Sequence, residues 1–330
     1  MGNIENKTVL LVSISVIAYN HEKYIRQCLD GILMQKVNFP YEILVHDDAS
    51  PDGTADIIRE YEAKYPGIIK PICQTENQYS QGKDVSKFNF DRARGKYLAF
   101  CEGDDYWTDP GKLWQQVNFL EAYPEYIACV HRVRVVDEFG NINKSNSYAQ
   151  KYDTFDYTLS DAENFLTRYG CAGHLSSLVC RNIFLDLPEN IYRNYINCKA
   201  NGDIKLTLLL TINGPIRRLD DTMSVYRNIT SGGTSWSARH SKSNNCLLVY
   251  NYLQELSHFS QKSYGIVLDY TEYINEITIV SIYLYLRHLN KDNKNIMCRL
   301  LATRNKTELI KHLIKYNRRY IKTLISKLYN

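Results

Sequence analysis

The chain has 330 residues, 44% of them apolar and 23% charged, with a net charge of +4. That length can bury a sizeable core, and the balance is that of an ordinary globular domain, which excludes a disordered or fibrous chain. The charge is uneven: from Arg287 onward twelve Lys and Arg face only Asp292 and Glu308, so this end carries +10 and the remainder −6. Val9–Ile17 is a continuous β-rich apolar run, as expected for a strand covered on both faces. Ile25, Leu29, Ile32 and Leu33 form the stripe of a helix over Glu22–Gln35. Tyr41–His46 reads as a strand and Thr54–Tyr65 as a helix opened by Pro51-Asp52-Gly53. Ile68–Cys73 and Tyr97–Cys101 are two more strands, the second running directly into Glu102-Gly103-Asp104-Asp105. Lys112–Tyr123 is an amphipathic helix. Ile127–Val136 with the Gly140-Asn141 turn suggests a hairpin or edge strand, and the polar residues 141–160 suggest a loop over the site. Ser176–Cys180 reads as a strand, Asp203–Ile212 as a buried helix and Pro215–Tyr226 as two short strands. Past about Ser237 strand signals stop and helical periodicity takes over.

Strands alternating with helices imply an α/β fold with a mostly parallel sheet covered on both faces. Ligands in such sheets bind beyond the carboxyl ends of the strands, so Asp47-Asp48 and Glu102 to Asp105 face one crevice. The nine cysteines are scattered, with no C-x-x-C pair, and read as buried free thiols in a reducing compartment. No segment reaches the length of a membrane span, and Val9–Ile17 lacks a cleavage site. These features fit the cytosol or the cytosolic face of a membrane.

Carboxylates clustered at a strand end can hold Mg2+ or Mn2+, hard ions that prefer carboxylate, water and phosphate oxygen. Such an ion stabilises the charge developing on a diphosphate leaving group. Gly103 lets the chain turn tightly inside the cluster. Acidic turn residues alone are commoner as caps or solvated loops. Here they stand in a longer pattern: VSISVIAYNHEKYIRQCLDGIL, ILVHDDASPDGTADIIREY, TENQYSQGK, ARGKYLAFCEGDDYWTDPGKLWQQVNFLE and MSVYRNITSGGTSW, in that order.

From about Val12 to Trp236 this series resembles the family 2 inverting glycosyltransferases of the GT-A fold. The resemblance implies a GT-A nucleotide-binding domain over residues 1–236 and leaves 237–330 as a helical, basic C-terminal region. It implies that Ala18 and Tyr19 contact the nucleotide base and that Asp48 hydrogen-bonds base or ribose, with Asp47 bracing the loop. Lys83 or Lys87 takes the family's basic position near the base, where this chain lacks the usual Arg. Relatives often have Asp-x-Asp-Asp where this chain has Glu102-Gly103-Asp104-Asp105. By position Glu102 meets the ribose or a metal-bound water, Asp104 is a metal ligand and Asp105 supports it. Tyr106 and Trp107 flank the donor sugar or pack beneath the loop. Asp203, in Asn201-Gly202-Asp203, matches the general base of an inverting transfer; as a bland alternative it only caps its helix. Arg227 braces the Gly232-Gly233 loop or meets phosphate. His174 is catalytic or simply a satisfied structural histidine.

The implied activity is a hexosyltransferase-type transfer from a nucleotide sugar, a UDP-sugar by the family's habit, to a glycan or lipid-linked acceptor of a capsule or lipopolysaccharide. The competing class is a non-catalytic nucleotide- or glycan-binding relative acting as a partner subunit. A Rossmann oxidoreductase or methyltransferase needs a Gly-rich turn after the first strand, and AYNHEKY offers none. In the tail, Ile310, Leu313, Ile314, Tyr320, Ile321, Leu324, Ile325 and Leu328 form a stripe beside Lys311, Lys315, Arg318 and Lys322. That pattern fits a helix lying on an anionic membrane surface, or one packed on the catalytic domain. Nucleic acid is disfavoured, since no aromatic-interleaved motif accompanies the charge.

Overall fold

A computed structural model describes residues 10–142, 156–163, 171–229 and 245–305, with 307 and 309. The Gly232-Gly233 loop and the apolar stripe from Ile310 to Leu328 lie outside the described residues. The chain begins with β1 (Val12–Ala18), α1 (Ile25–Leu33), β2 (Tyr41–Asp47), α2 (Thr54–Lys64) and β3 (Ile69–Cys73). α3 (Lys87–Phe90), β4 (Tyr97–Phe100), β5 (Tyr106–Trp107), α4 (Lys112–Ala122) and β6 (Ala128–Val136) follow. After β7 (Asp156–Tyr157) and α5 (Leu159–Glu163) come β8 (Val179–Arg181), α6 (Glu189–Asn197), α7 (Gly202–Asn213) and β9 (Ile216–Arg227). Three helices close the described part: α8 (Cys246–Tyr264), α9 (Thr271–His288) and α10 (Lys291–Ala302).

The strands form one sheet in the order β3-β2-β1-β4-β8-β6-β9-β5, with β7 on β9. β1 pairs in parallel with β2 and β4, β2 with β3, and β6 with β9; the antiparallel pairs to β8, β5 and β7 are only two or three residues long. The first three strands build outward from β1 in one direction, and β4 is added on its other side. That switch opens a crevice at the carboxyl ends of β1, β2 and β4.

Alternation along the strands supplies both faces. Ile43 and Val45 enter one buried cluster with Ile25, Leu29, Ile32, Ile58, Leu113 and Val117, from α1, α2 and α4. Leu44 points the other way, into a second cluster with Phe90, Tyr195 and Leu208–Leu210 of α7. Leu253, Leu256 and Phe259 of α8, Ile277 and Val280 of α9 and Leu300 of α10 belong to that same second cluster. The C-terminal helices are therefore packed on the sheet's own core, and α7 is apolar on nearly every side because it lies between sheet and helices.

Three expectations are corrected. Ile127–Val136 is no edge: β6 runs between β8 and β9. Pro215–Tyr226 forms one strand of 12 residues, not two. Its exposed Asp220-Asp221-Thr222 reads locally as a turn, but the ladder to β6 only shifts register there and continues. Within 141–160, Asp156–Tyr157 and Leu159–Glu163 are a strand and a helix, so only part of that stretch is available as a loop. All nine cysteines are free, but only six are buried as expected: Cys73 and Cys171 are partly exposed and Cys298 is exposed on α10. Among the described residues no helix is long and apolar enough to cross a membrane.

Candidate active site

The floor of the crevice is built from two loops tied edge to edge. Asp48 N donates to Ala18 O at 3.0 Å, which joins the ends of β1 and β2. Beyond it, Ser50 Oγ accepts from Asn20 N at 2.9 Å, Thr54 Oγ1 from His21 N at 2.8 Å and Asp52 Oδ2 from Glu22 N at 3.0 Å. Both loops turn through a left-handed residue, Asn20 (φ 61°) and Ala49 (φ 60°). Asn tolerates that region, whereas Ala49 costs about 1–2 kcal/mol there. The small polar residues Ser50, Asp52 and Thr54 of DDASPDGT thus tie the two loops together.

The two aspartates of that motif divide the work. Asp47, 1% exposed, accepts from Ser50 Oγ at 2.5 Å and Ser50 N at 3.2 Å, and burial raises its pKa. Asp48 accepts one amide on each oxygen, Gln78 N at 2.8 Å and Tyr79 N at 3.0 Å, and so draws the segment after β3 over the crevice. Each Asp48 oxygen retains a lone pair for a further donor. Tyr19 is half-buried beside Ala18. Lys83 lies at the far end of the same segment with Nζ on Gln78 Oε1 at 2.6 Å, while Lys87 is paired with Asp91 and lies over the Tyr192 ring.

The acidic loop after β4 enters from the opposite wall. Gly103 N donates to Ile17 O at 2.9 Å, pulling the loop against β1. A methyl group on Gly103 would meet His21 Nδ1 at 2.7 Å and Ala18 Cβ at 3.1 Å, so a larger residue here would have to push the His21 ring aside. Arg227 clamps the loop from the end of β9. Its N donates to Asp105 Oδ1 at 2.9 Å, its Nε to Asp104 O at 3.0 Å and its Nη2 to Gln27 Oε1 at 2.8 Å. Its guanidinium also covers the rings of Tyr24 and Tyr106 at 4.6 and 5.4 Å. Trp107 is 1% exposed with Nε1 on Ser176 O at 3.0 Å, which makes it a core residue beneath the loop.

The carboxylates crowd one another. Asp104 Oδ2 lies 3.7 Å from His21 Nε2. Burial raises the Glu102 pKa well above the usual range, and the Asp203 and Asp104 carboxylates raise it further. Asp105 is raised for the same reasons, with Asp104 and Glu102 as the neighbouring charges. Asp105 Oδ2 is buried with no hydrogen-bond partner among the described residues and lies 3.6 Å from His174 Nδ1. One ligand atom each from Glu102, Asp105 and His174 fall within 4.8 Å of one another. His174 is 8% exposed, burial lowers its pKa to about 3, and its ring is neutral. The turn behind it is fixed by Gln116 Nε2 on Ser177 O at 2.8 Å as well as by Trp107.

α7 brings the remaining acid. Asn201, not Asp203, caps this helix: its side chain accepts from Asp203 N at 3.2 Å. The Asp203 carboxylate is thereby left for the crevice. Burial raises its pKa to about 6, opposed by a backbone hydrogen bond. The Glu102, Asp104, Asp105 and Asp203 carboxylates thus lie close enough to act on one another, Gly103 packs on Ala18, and Arg227 is committed to the acidic loop.

The family model described as glycosyl transferase family 2 matches residues 13–183, just over half of the chain. An uncharacterized protein of Mycobacterium tuberculosis is 38% identical over 229 residues, covering 67% of this chain; the match spans only 60% of that protein's own length. The UDP-Glc:alpha-D-GlcNAc-diphosphoundecaprenol beta-1,3-glucosyltransferase of Escherichia coli is 26% identical over 227 residues, 68% of this chain and 80% of that one. Among solved structures, residues 1–349 of S. aureus TarS in complex with UDP-GlcNAc superpose with a TM-score of 0.54 at 15% identity, covering 97% of this chain and 89% of that one. At that identity the likeness is one of fold.

Proposed function

Because the chain belongs to glycosyl transferase family 2, we propose that it transfers a sugar from a nucleotide-sugar donor, a UDP-hexose, to a hydroxyl of a glycan or lipid-linked acceptor with inversion. The observation that carries this reading is the convergence of the acidic loop after β4 with Asp203 at the start of α7, beside the strand ends holding Ala18 and Asp48. The E. coli relative acts on a lipid-linked sugar with UDP-Glc by its name, which supports both substrate classes.

In this reading the nucleotide lies over Ala18 and Tyr19, with Asp48 and Lys83 offering an acceptor and a donor to base or ribose. The acceptor hydroxyl gives its proton to Asp203 as its oxygen attacks the anomeric carbon, the bond from that carbon to the phosphate oxygen breaks, and the nucleoside diphosphate leaves. A carboxylate titrating at about 6 is ionised at neutral pH and close enough to it to act as an efficient base. Glu102 and Asp105, with Asp104 beside them, suit Mn2+ or Mg2+, as the unpartnered Asp105 Oδ2 indicates; His174 lies within reach of the same point, with its Nδ1 accepting from Ser176 N. Bound there, the ion would offset charge on the diphosphate. Arg227 keeps the loop that carries these acids in place. The transfer chemistry falls within residues 1–236, and 237–330 serves as the basic helical region.

The anionic membrane surface enters as a second partner. Leu286 and Leu289, 65% and 71% exposed, flank Arg287 at the end of α9, and Lys291 and Lys294 follow in α10. Apolar tips among cations fit lipid headgroups.

The test is donor turnover by purified protein across a panel of nucleotide sugars, with Mn2+ and with chelator, for the wild type and Asp203→Asn. Turnover that needs the metal and falls by about 10²–10⁴ in Asp203→Asn, with donor affinity kept, is expected. Donor binding without any turnover by the wild type would favour the non-catalytic partner subunit instead.

A further inference from the structure

Among the buried residues of α7, Lys205, two residues past Asp203, is the one that carries a charge. The Lys205 side chain is 3% exposed. Its ammonium pairs with Asp84 and also donates to Tyr195 O at 3.2 Å and Cys198 O at 3.3 Å, above the Tyr195 ring at 4.6 Å. Three N–H groups thus meet three acceptors, a complete set for a lysine. Asp84 is fixed in turn, its Oδ1 accepting from Ser86 N at 3.0 Å and Ser86 Oγ. Asp84 belongs to the segment whose other end, Asn77 to Tyr79, is bonded to Asp48. Lys199, just before α7, makes a second tie to the same segment through Gly82 O at 2.8 Å.

We infer that Lys205 is a positioning residue whose buried pair with Asp84 fixes the start of α7, and with it Asp203, relative to the segment that Asp48 draws over the nucleotide side of the crevice. The inference deepens the transferase reading and rests on it for the roles of Asp48 and Asp203. A well-packed apolar side chain in place of a buried ion pair is often as stable or more so, so such a pair fixes geometry better than it adds stability. Here it spans 121 residues of sequence and meets the two parts of the site that must keep a set separation, nucleotide and base. Binding of a nucleoside diphosphate beside Asp48 is therefore felt at Asp203 through Asp84 and Lys205.

The test uses the full chain as wild type, Lys205→Met, Asp84→Asn and the double variant. Stability, UDP affinity in Mn2+, turnover of the active donor and amide hydrogen exchange at residues 77–79 and 201–206 are measured on each. Lys205→Met strands the Asp84 carboxylate and should lower the melting temperature, and the double variant should recover part of that loss. Turnover should fall at least about tenfold in the single variants and remain low in the double, with UDP affinity within about threefold of the wild type. UDP should slow exchange at 201–206 in the wild type and cease to do so in Lys205→Met, while still protecting 77–79. Recovery of turnover together with stability in the double variant would make the pair merely structural and overturn the inference, as would undiminished protection of 201–206 in Lys205→Met. A wild type that turns over no donor would sink the transferase reading instead. The clamp is then judged in the free protein: Asp84→Asn should speed exchange at 201–206 and Lys205→Met at 77–79, and no change at either place overturns it.

Discussion

Asp203 pits function against stability at a single residue. Burial lifts its pKa from the ordinary aspartate range to about 6, so the folded protein holds this proton more tightly than the unfolded chain. Its contribution to stability is fully present below about pH 4 and is lost as pH rises through 6, leaving a deficit on the order of 1–3 kcal/mol at neutral pH. Asp203→Asn removes that deficit. Denaturation midpoints should show the variant gaining stability relative to wild type, more at pH 8 than at pH 5, even as turnover disappears. The wild-type rate should fall about tenfold per pH unit below 6, where the base is protonated. Gly103 gives a second residue-scale test. Gly103→Ala places a methyl 2.7 Å from His21 Nδ1, and the ring must move beside Asp104. A loss of about 1–3 kcal/mol in urea denaturation, with a larger drop in metal-dependent turnover, is expected.

Among the elements, the acidic loop and α7 are each held by a partner distant in sequence or by a cap. The loop depends on β9: Arg227 spans Asp104 O and Gln27 Oε1 with the two arms of one planar group. A lysine keeps the charge but cannot reproduce that fork. Arg227→Lys should therefore impair turnover nearly as much as Arg227→Ala, with the Asp105 bond to the backbone amide preserved in both. Steady-state kinetics of the two variants checks this; full activity in the lysine variant would mean that charge alone suffices. At α7, Asn201→Ala removes the cap and should cost about 0.5–2 kcal/mol in chemical denaturation while leaving Asp203 ionisable.

On the scale of the molecule, the C-terminal helices decide where the chain can be cut. α8 and α9 bury Leu253, Leu256, Phe259, Ile277 and Val280 against the α7 side of the sheet. Losing one such leucine costs about 2–5 kcal/mol, so residues 1–236 alone should express as insoluble or unfolded material. Cutting after Asn305 leaves this cluster whole and removes seven Lys and Arg against Glu308. Each basic residue near an anionic surface contributes roughly 1 kcal/mol, so the 1–305 form should fold normally but bind anionic vesicles more weakly at low salt. Circular dichroism and vesicle sedimentation on the two truncations separate the packing role from the membrane role.

By itself the sequence determined the longer strands and helices from β1 to α4, missing only the short α3 and the two-residue β5, along with the acidic strand ends, the buried helix with Asp203 at its start and the helical character past Ser237. Those features are written in local periodicity and turn chemistry, which act between residues a few positions apart. Only the tertiary structure decided the rest. Asn201 takes the cap that the sequence allowed Asp203. His174 is brought beside Asp105, from a turn fixed by Trp107 and Gln116. β6 lies inside the sheet, because β8 and β9 reach it from later in the chain. Lys205, the one charged residue among those α7 buries, finds its acceptor at Asp84, and Arg227 reaches a loop 122 residues earlier. Partners at such separations leave no trace in spacing: a buried charge or an unpaired carboxylate can be satisfied by any group the fold brings near, and which group that is depends on how sheet and helices close over the core.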